Sequence, residues 1–137
     1  MVIMNERSIK NGIGPVNILI VEDEALIALD LRMTLERLGF TVLGTAFSGE
    51  EALRKVESFR PNLVLMDIKL KGDMDGVMAA EEITRRFRIP VIYLTAYTDP
   101  QTLLRIGRSG SFGCLHKPFE PGELRDSISR SMAILPA

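Results

Sequence analysis

The sequence predicts an α/β protein: an open, doubly wound parallel sheet of five strands with five helices. Three observations predict it. Short apolar, β-branched runs at residues 16–21, 62–66 and 91–94 lack polar alternation, so they read as strands buried on both faces. Between them, apolar residues recur at three- and four-residue spacing, the mark of amphipathic helices. The two kinds of segment alternate along the chain, which right-handed crossovers wind into a parallel sheet covered on both sides.

Residues 1–15 read as a flexible tail without periodicity, ending in Gly12-Ile13-Gly14-Pro15. Residues 16–21 are the first strand. Residues 24–38 read as a helix, with Leu26, Leu29 and Met33 on one row and Ile27, Leu31, Leu35 and Leu38 on another. Gly39 stops it. Residues 40–46 are the second strand. Ser48, with Glu51 three residues on, forms a capping box for a helix to about residue 58. Pro61 breaks the chain, and residues 62–66 form a third strand that ends on Asp67. A polar, Gly-containing loop over 69–76 follows. Asp75 is positioned as the N-cap of a helix over 77–87. Pro90 opens the fourth strand, 91–94, which ends on Thr95. A weaker helix spans 100–106, a short fifth strand 112–115, and a last helix 121–133, after Lys117-Pro118. Residues 16–134 thus read as one domain and 135–137 as a loose end, with no internal repeat or low-complexity tract.

The 137 residues are 46% hydrophobic and 26% charged, which excludes disorder as the main state. Lys plus Arg is 17 against 18 for Asp plus Glu, a net charge of −1, so nothing marks a nucleic-acid or anionic-membrane binder. The run Arg85-Arg86-Phe87-Arg88 suits a helix C-terminus as a solvated end. Cys114 is the single cysteine, so neither an internal disulfide nor a four-cysteine zinc site is available, and it reads as a small buried hydrophobe. Apolar runs are too short to span a bilayer, and the first residues lack a signal-peptide pattern, so a cytoplasmic location is expected.

In open α/β sheets, ligands bind at the carboxyl ends of the strands. Glu22 and Asp23 follow the first strand, Asp67 ends the third, Thr95 ends the fourth and Lys117 follows the fifth. Clustered carboxylates repel one another unless a cation sits among them, and all-oxygen ligands favour a hard ion, Mg²⁺ or Mn²⁺. A hydroxyl and an ammonium beside them can hold phosphoryl oxygens, with one carboxylate as nucleophile. Asp67, at the end of the central strand, is the best candidate. His116 is the only histidine, which leaves no histidine metal cluster, and Gly12-Ile13-Gly14 is not a phosphate-binding loop.

Five segments in order carry a resemblance: Ile18-Leu19-Ile20-Val21-Glu22-Asp23-Glu24, Leu65-Met66-Asp67-Ile68, Met74-Asp75-Gly76, Leu94-Thr95-Ala96 and Lys117-Pro118-Phe119. Together they resemble a response regulator receiver domain of two-component systems, over about residues 16 to 133. The resemblance implies the flavodoxin-like strand order 2-1-3-4-5. It implies that Asp67 accepts a phosphoryl group from phosphohistidine on a histidine kinase or phosphotransfer domain. Asp23 would ligate Mg²⁺ directly, Glu22 through a metal-bound water, and Lys69 through its backbone carbonyl, with Asp67 completing the set. Thr95 and Lys117 would contact the phosphoryl oxygens, and Lys117-Pro118 would be cis.

Ala96, Tyr97, Cys114 and Pro118 would form the rim and switch. The face of the fourth strand, fourth helix and fifth strand would change its affinity for partners. A homodimer would use the face of the fourth helix, fifth strand and fifth helix. The chain would be no enzyme beyond its own phosphorylation and dephosphorylation, with no direct contact to nucleic acid or membrane.

Two departures from the family stand out: a loop after Asp67 one residue longer than is commonest, and Cys114 where an aromatic residue usually swings. Lys69 and Tyr97 flank the site and would tune the phosphoryl lifetime. The alternative is a receiver-like interaction module that takes no phosphate. A haloacid dehalogenase-type phosphatase would need an acid at position 69, which is Lys69. A flavodoxin-like FMN binder would need a Ser/Thr-rich loop where Glu22-Asp23-Glu24 stands.

Overall fold

β3 (Leu63–Asp67) is the middle strand of a five-stranded sheet in the computed structural model, which describes residues 15–96, 100–108 and 113–134. β1 (Asn17–Val21) and β2 (Thr41–Ala46) lie on one side of it. β4 (Val91–Thr95) and β5 (Gly113–His116) lie on the other. The order is β2-β1-β3-β4-β5 and every pairing is parallel, as the resemblance implied. Each strand is followed by a helix: α1 (Ala25–Arg37), α2 (Gly49–Phe59), α3 (Gly76–Phe87), α4 (Pro100–Arg108) and α5 (Pro121–Ile134).

Alternate residues of each strand feed two apolar layers. Ile18, Ile20, Leu63, Leu65, Ile92 and Leu94 pack with Ala28, Leu31 and Leu35 of α1 and Leu124 and Ile128 of α5. Leu19, Val21, Val64, Met66, Val91 and Tyr93 pack with residues of α2, α3 and α4. Both faces are covered, so the strands can be apolar at every position. Each fully buried Ile or Leu contributes about 1.5–3 kcal/mol.

The helix ends follow the local chemistry with some changes. Gly39 takes φ 97 after α1, where its amide donates to the Glu36 carbonyl at 3.1 Å and that of Phe40 donates to Leu35 at 3.0 Å. Ser48 accepts from the Glu51 amide at 3.1 Å as expected, but Glu51 reaches back to the amide of Phe47, at 2.6 Å, and not to that of Ser48. α2 and α3 end on left-handed Arg60 and Arg88, at φ 49 and 56, where glycine is usual.

α1 departs most from expectation. Its row Ala28, Leu31, Leu35 faces the sheet, while Leu26, Leu29 and Met33 are 82%, 52% and 50% exposed. A helix lying on a sheet buries one stripe, and this helix carries two. β5 runs from residue 113 to 116, and expected Phe112 lies outside the described residues, as do residues 1–14 of the expected tail and the end at 135–137.

Candidate functional site

Glu22 enters the site because its amide extends the β1–β2 ladder, donating to the Ala46 carbonyl at 3.0 Å. Its side chain turns inward and is buried. One carboxylate oxygen accepts from the Glu24 amide at 3.1 Å, and the other lies 3.5 Å from Lys117 Nζ. Burial pushes the Glu22 carboxyl up, from 4.5 to about 7. The Glu24 amide opposes that rise, the Asp67 carboxylate adds to it, and the Lys117 ammonium opposes it more weakly.

Asp67 is the last residue of β3, half-buried, and its Oδ1 accepts from the Lys69 amide at 3.2 Å. Glu22, Asp23 and Asp67 each offer an oxygen within 4.8 Å of the others. Thr95 ends β4 and is buried. Its carbonyl accepts from the Lys117 amide at 2.8 Å, which fixes Lys117 one residue past β5. The Lys117-Pro118 bond is cis, as the resemblance implied.

Gly76 packs against the backbone of Asp67 and Ile68. Its amide donates to the Ile68 carbonyl at 2.9 Å, and a Cβ there would collide with the carbonyl oxygen of Asp67. Asp75 caps α3, accepting from the Met78 amide at 2.9 Å as expected. It also receives Arg105 of α4 at 2.8 Å, which the sequence did not signal across 30 positions.

Two hollows meet at Asp67 and Lys117. One, of about 450 Å³, is walled by Asp23, Glu24, Lys69, Lys71 and Ala96. The other, about 470 Å³, is a largely apolar groove between α1 and the start of α5, lined by Ile27, Leu31, Leu94, Pro118 and Phe119. Glu22, Asp23, Asp67, Lys69, Ala96, Lys117 and Pro118 therefore meet at one rim, beside Thr95. His116 is exposed at the end of β5 and pairs in register with Thr95.

Cys114 does not reach this rim. It is half-buried opposite Tyr93 in the layer under α4, and burial pushes its thiol up. Tyr97 lies outside the described residues. Lys71, Gly76 and Ile27 were given no place at the site from sequence, and the Arg105 contact was not expected. Gly76 alone had a local signal, the Met-Asp-Gly motif.

The donor set fits a hard dication. It offers only oxygens, crowds three carboxylates and buries one of them, so a bound cation relieves repulsion that Lys117 alone does not cancel.

Comparison with known proteins points to one family. The family model described as the response regulator receiver domain matches residues 18–129. The chain is 40% identical over 116 residues to the phyllosphere-induced regulator PhyR of Methylorubrum extorquens, an alignment covering 84% of this chain and 43% of that protein. It is 36% identical over 119 residues to the transcriptional regulatory protein PdtaR of Mycobacterium tuberculosis, covering 87% of this chain and 58% of that protein. The chain thus spans only about half the length of these relatives.

Among solved structures, the signal receiver domain of a modulated diguanylate cyclase from Desulfovibrio desulfuricans superposes with a TM-score of 0.83 at 39% identity, covering 87% of this chain and 94% of that one. The anti-anti-sigma factor PhyR of Bartonella quintana gives 0.78 at 35% identity, covering 92% of this chain and 51% of that one. No helix among the described residues is long and apolar enough to cross a membrane. The chain belongs to the response regulator receiver domain family of two-component signalling.

Proposed function

We propose that this domain is a phosphorylation switch whose acceptor is Asp67, working in the cytoplasm. One observation carries the reading: Glu22, Asp23 and Asp67 converge within 4.8 Å beside the ammonium of Lys117, at the carboxyl end of the middle strand. An oxygen of Asp67 attacks the phosphorus of a phosphohistidine on a histidine kinase or phosphotransfer domain. The O–P bond forms as the P–N bond breaks, and the imidazole leaves with that electron pair and takes a proton from water. Hydrolysis reverses the modification: water attacks phosphorus, the bond to Asp67 breaks, and phosphate and carboxylate are released.

Glu22, Asp23, Asp67 and the Lys69 carbonyl would hold Mg²⁺ or Mn²⁺, which neutralises charge on the transferring group when bound. Lys117 Nζ and the Thr95 hydroxyl take the phosphoryl oxygens. Drawing them inward alters the β4–α4–β5 face, where Leu103 and Leu104 of α4 are 42% and 54% exposed, toward a partner or a second copy. Lys69 and Tyr97 tune the lifetime of the phosphoryl group.

The phosphodonor docks on the exposed α1 row of Leu26, Leu29 and Met33. The apolar groove beside α1 leads from Ile27 to Asp67 and Lys117, so a helix seated there presents its histidine to the acceptor. Borohydride trapping tests the acceptor. After treatment with acetyl phosphate and Mg²⁺, reduction converts an acyl phosphate at position 67 to homoserine, seen by peptide mass mapping. Homoserine elsewhere, or nowhere, contradicts the assignment. A domain that binds Mg²⁺ yet stays unmodified is an interaction module that takes no phosphate.

A further inference from the structure

We propose that Lys71 is a specificity-determining residue that favours small dianionic acyl phosphates as direct phosphoryl donors; this rests on Asp67 as the acceptor. The placement of Lys71 follows from its neighbour. Leu70 is 7% exposed and anchors the loop after β3 in the apolar layer of α2 and α3. That anchoring turns Lys69 and Lys71, one on each side, out onto the wall of the hollow that holds Asp67. Gly72, at φ 102, then turns the chain away. Lys71 is exposed and, among the described residues, has no ion-pair or hydrogen-bond partner. No such partner holds its charge away from the hollow that it lines.

Charge decides what that lysine does. On the floor, three carboxylates are balanced by Lys117 and a bound dication. Among the described residues, Lys71 adds one positive charge to a rim that also carries Glu24 and Lys69. Lys71→Gln removes that positive charge, and Lys71→Glu reverses it. A small donor has no docking surface, so its encounter with Asp67 depends on this local field. Acetyl phosphate carries two negative charges and feels it most. Phosphoramidate carries one net negative charge near neutral pH and feels about half as much.

The test is the rate of Asp67 phosphorylation, read by intact mass, for the native chain, Lys71→Gln and Lys71→Glu. With acetyl phosphate at low salt we expect a fall of about fourfold for Lys71→Gln and about tenfold or more for Lys71→Glu. With phosphoramidate the Lys71→Gln fall is about twofold, and both effects shrink strongly at about 0.5 M salt. Titration with Mg²⁺ alone gives a readout of opposite sign. Losing a nearby positive charge tightens Mg²⁺ binding, by about twofold for Lys71→Gln.

Rates unchanged in both variants, equal falls with both donors, or falls that persist at high salt overturn the proposal. So does Mg²⁺ binding that weakens along with the rate, which marks a distorted loop. If the native chain takes no phosphoryl group, the acceptor reading fails and this proposal with it. If it reacts and Lys71→Gln reacts equally fast, only this proposal fails.

Discussion

The Lys117 ammonium lies 3.5 Å from an oxygen of the buried Glu22 carboxylate, so the cation proposed for phosphoryl contact is held from within the fold. The raised Glu22 value fixes the direction of a pH effect. The folded value, about 7, lies above the ordinary 4.5, so folding favours the protonated form. The stability this group contributes is full below about pH 4.5 and is lost as pH rises through about 7. In metal-free solution, urea midpoints of the native chain should fall between pH 5 and 8 relative to those of Glu22→Gln. Parallel profiles would refute this.

Metal binding follows from the same residue with the opposite trend. A cation competes with the Glu22 proton, so Mg²⁺ binding releases protons near neutral pH. Apparent Mg²⁺ affinity should rise several-fold from pH 6 to 7.5 and then level off. In Glu22→Gln binding is weaker and nearly independent of pH over that range. Calorimetry in two buffers of different ionisation enthalpy measures the proton release directly.

Gly76 has no room for a side chain. A methyl group would meet the Asp67 carbonyl and the Ile68 Cα, backbone atoms that cannot swing aside. We expect Gly76→Ala to cost about 2–3 kcal/mol and lower the melting temperature by about 10 °C. Phosphorylation of the folded fraction should slow, because the strain falls on the peptide of Asp67, the proposed acceptor. A native melting temperature would contradict the packing.

Asp75 does two jobs that substitution separates. Asparagine keeps the cap on the Met78 amide but loses the charge facing Arg105, whereas alanine loses both. Asp75→Asn should cost about 0.5 kcal/mol, as expected of a half-exposed pair. Asp75→Ala should cost about 1–2 kcal/mol. A double-mutant cycle with Arg105→Gln should give a coupling of about 0.5 kcal/mol. Zero coupling would show that the pair does not tie α4 to the loop behind Asp67.

The exposed row of α1 should matter for transfer and little for folding. Leu26→Ser with Leu29→Asn should shift stability by less than about 1 kcal/mol in total, because both side chains are largely in solvent. Phosphotransfer from a kinase should fall about tenfold or more, while phosphorylation by acetyl phosphate stays unchanged. Equal rates with the kinase would remove α1 as the docking face.

The strands were legible because a parallel sheet buried on both faces leaves continuous apolar runs such as Leu63-Val64-Leu65-Met66. The site was legible because its groups sit where those runs stop: Glu22, Asp67, Thr95 and Lys117. Periodicity does not tell a stripe that meets the core from one that meets a partner, so Leu29 and Leu31 looked alike. Arg60 and Arg88 carry no glycine signal for their left-handed caps, and the Arg105–Asp75 contact exists only once α4 lies across the loop. Lys71 reads as a loop lysine until Leu70 is seen anchored beneath it.

Intact mass after incubation with acetyl phosphate, with and without Mg²⁺, on the native chain and Asp67→Asn decides whether Asp67 takes the phosphoryl group. We expect a single Mg²⁺-dependent phosphoryl adduct on the native chain and none on the variant. An adduct of equal yield on Asp67→Asn, or none on the native chain with Mg²⁺ bound, would contradict this expectation.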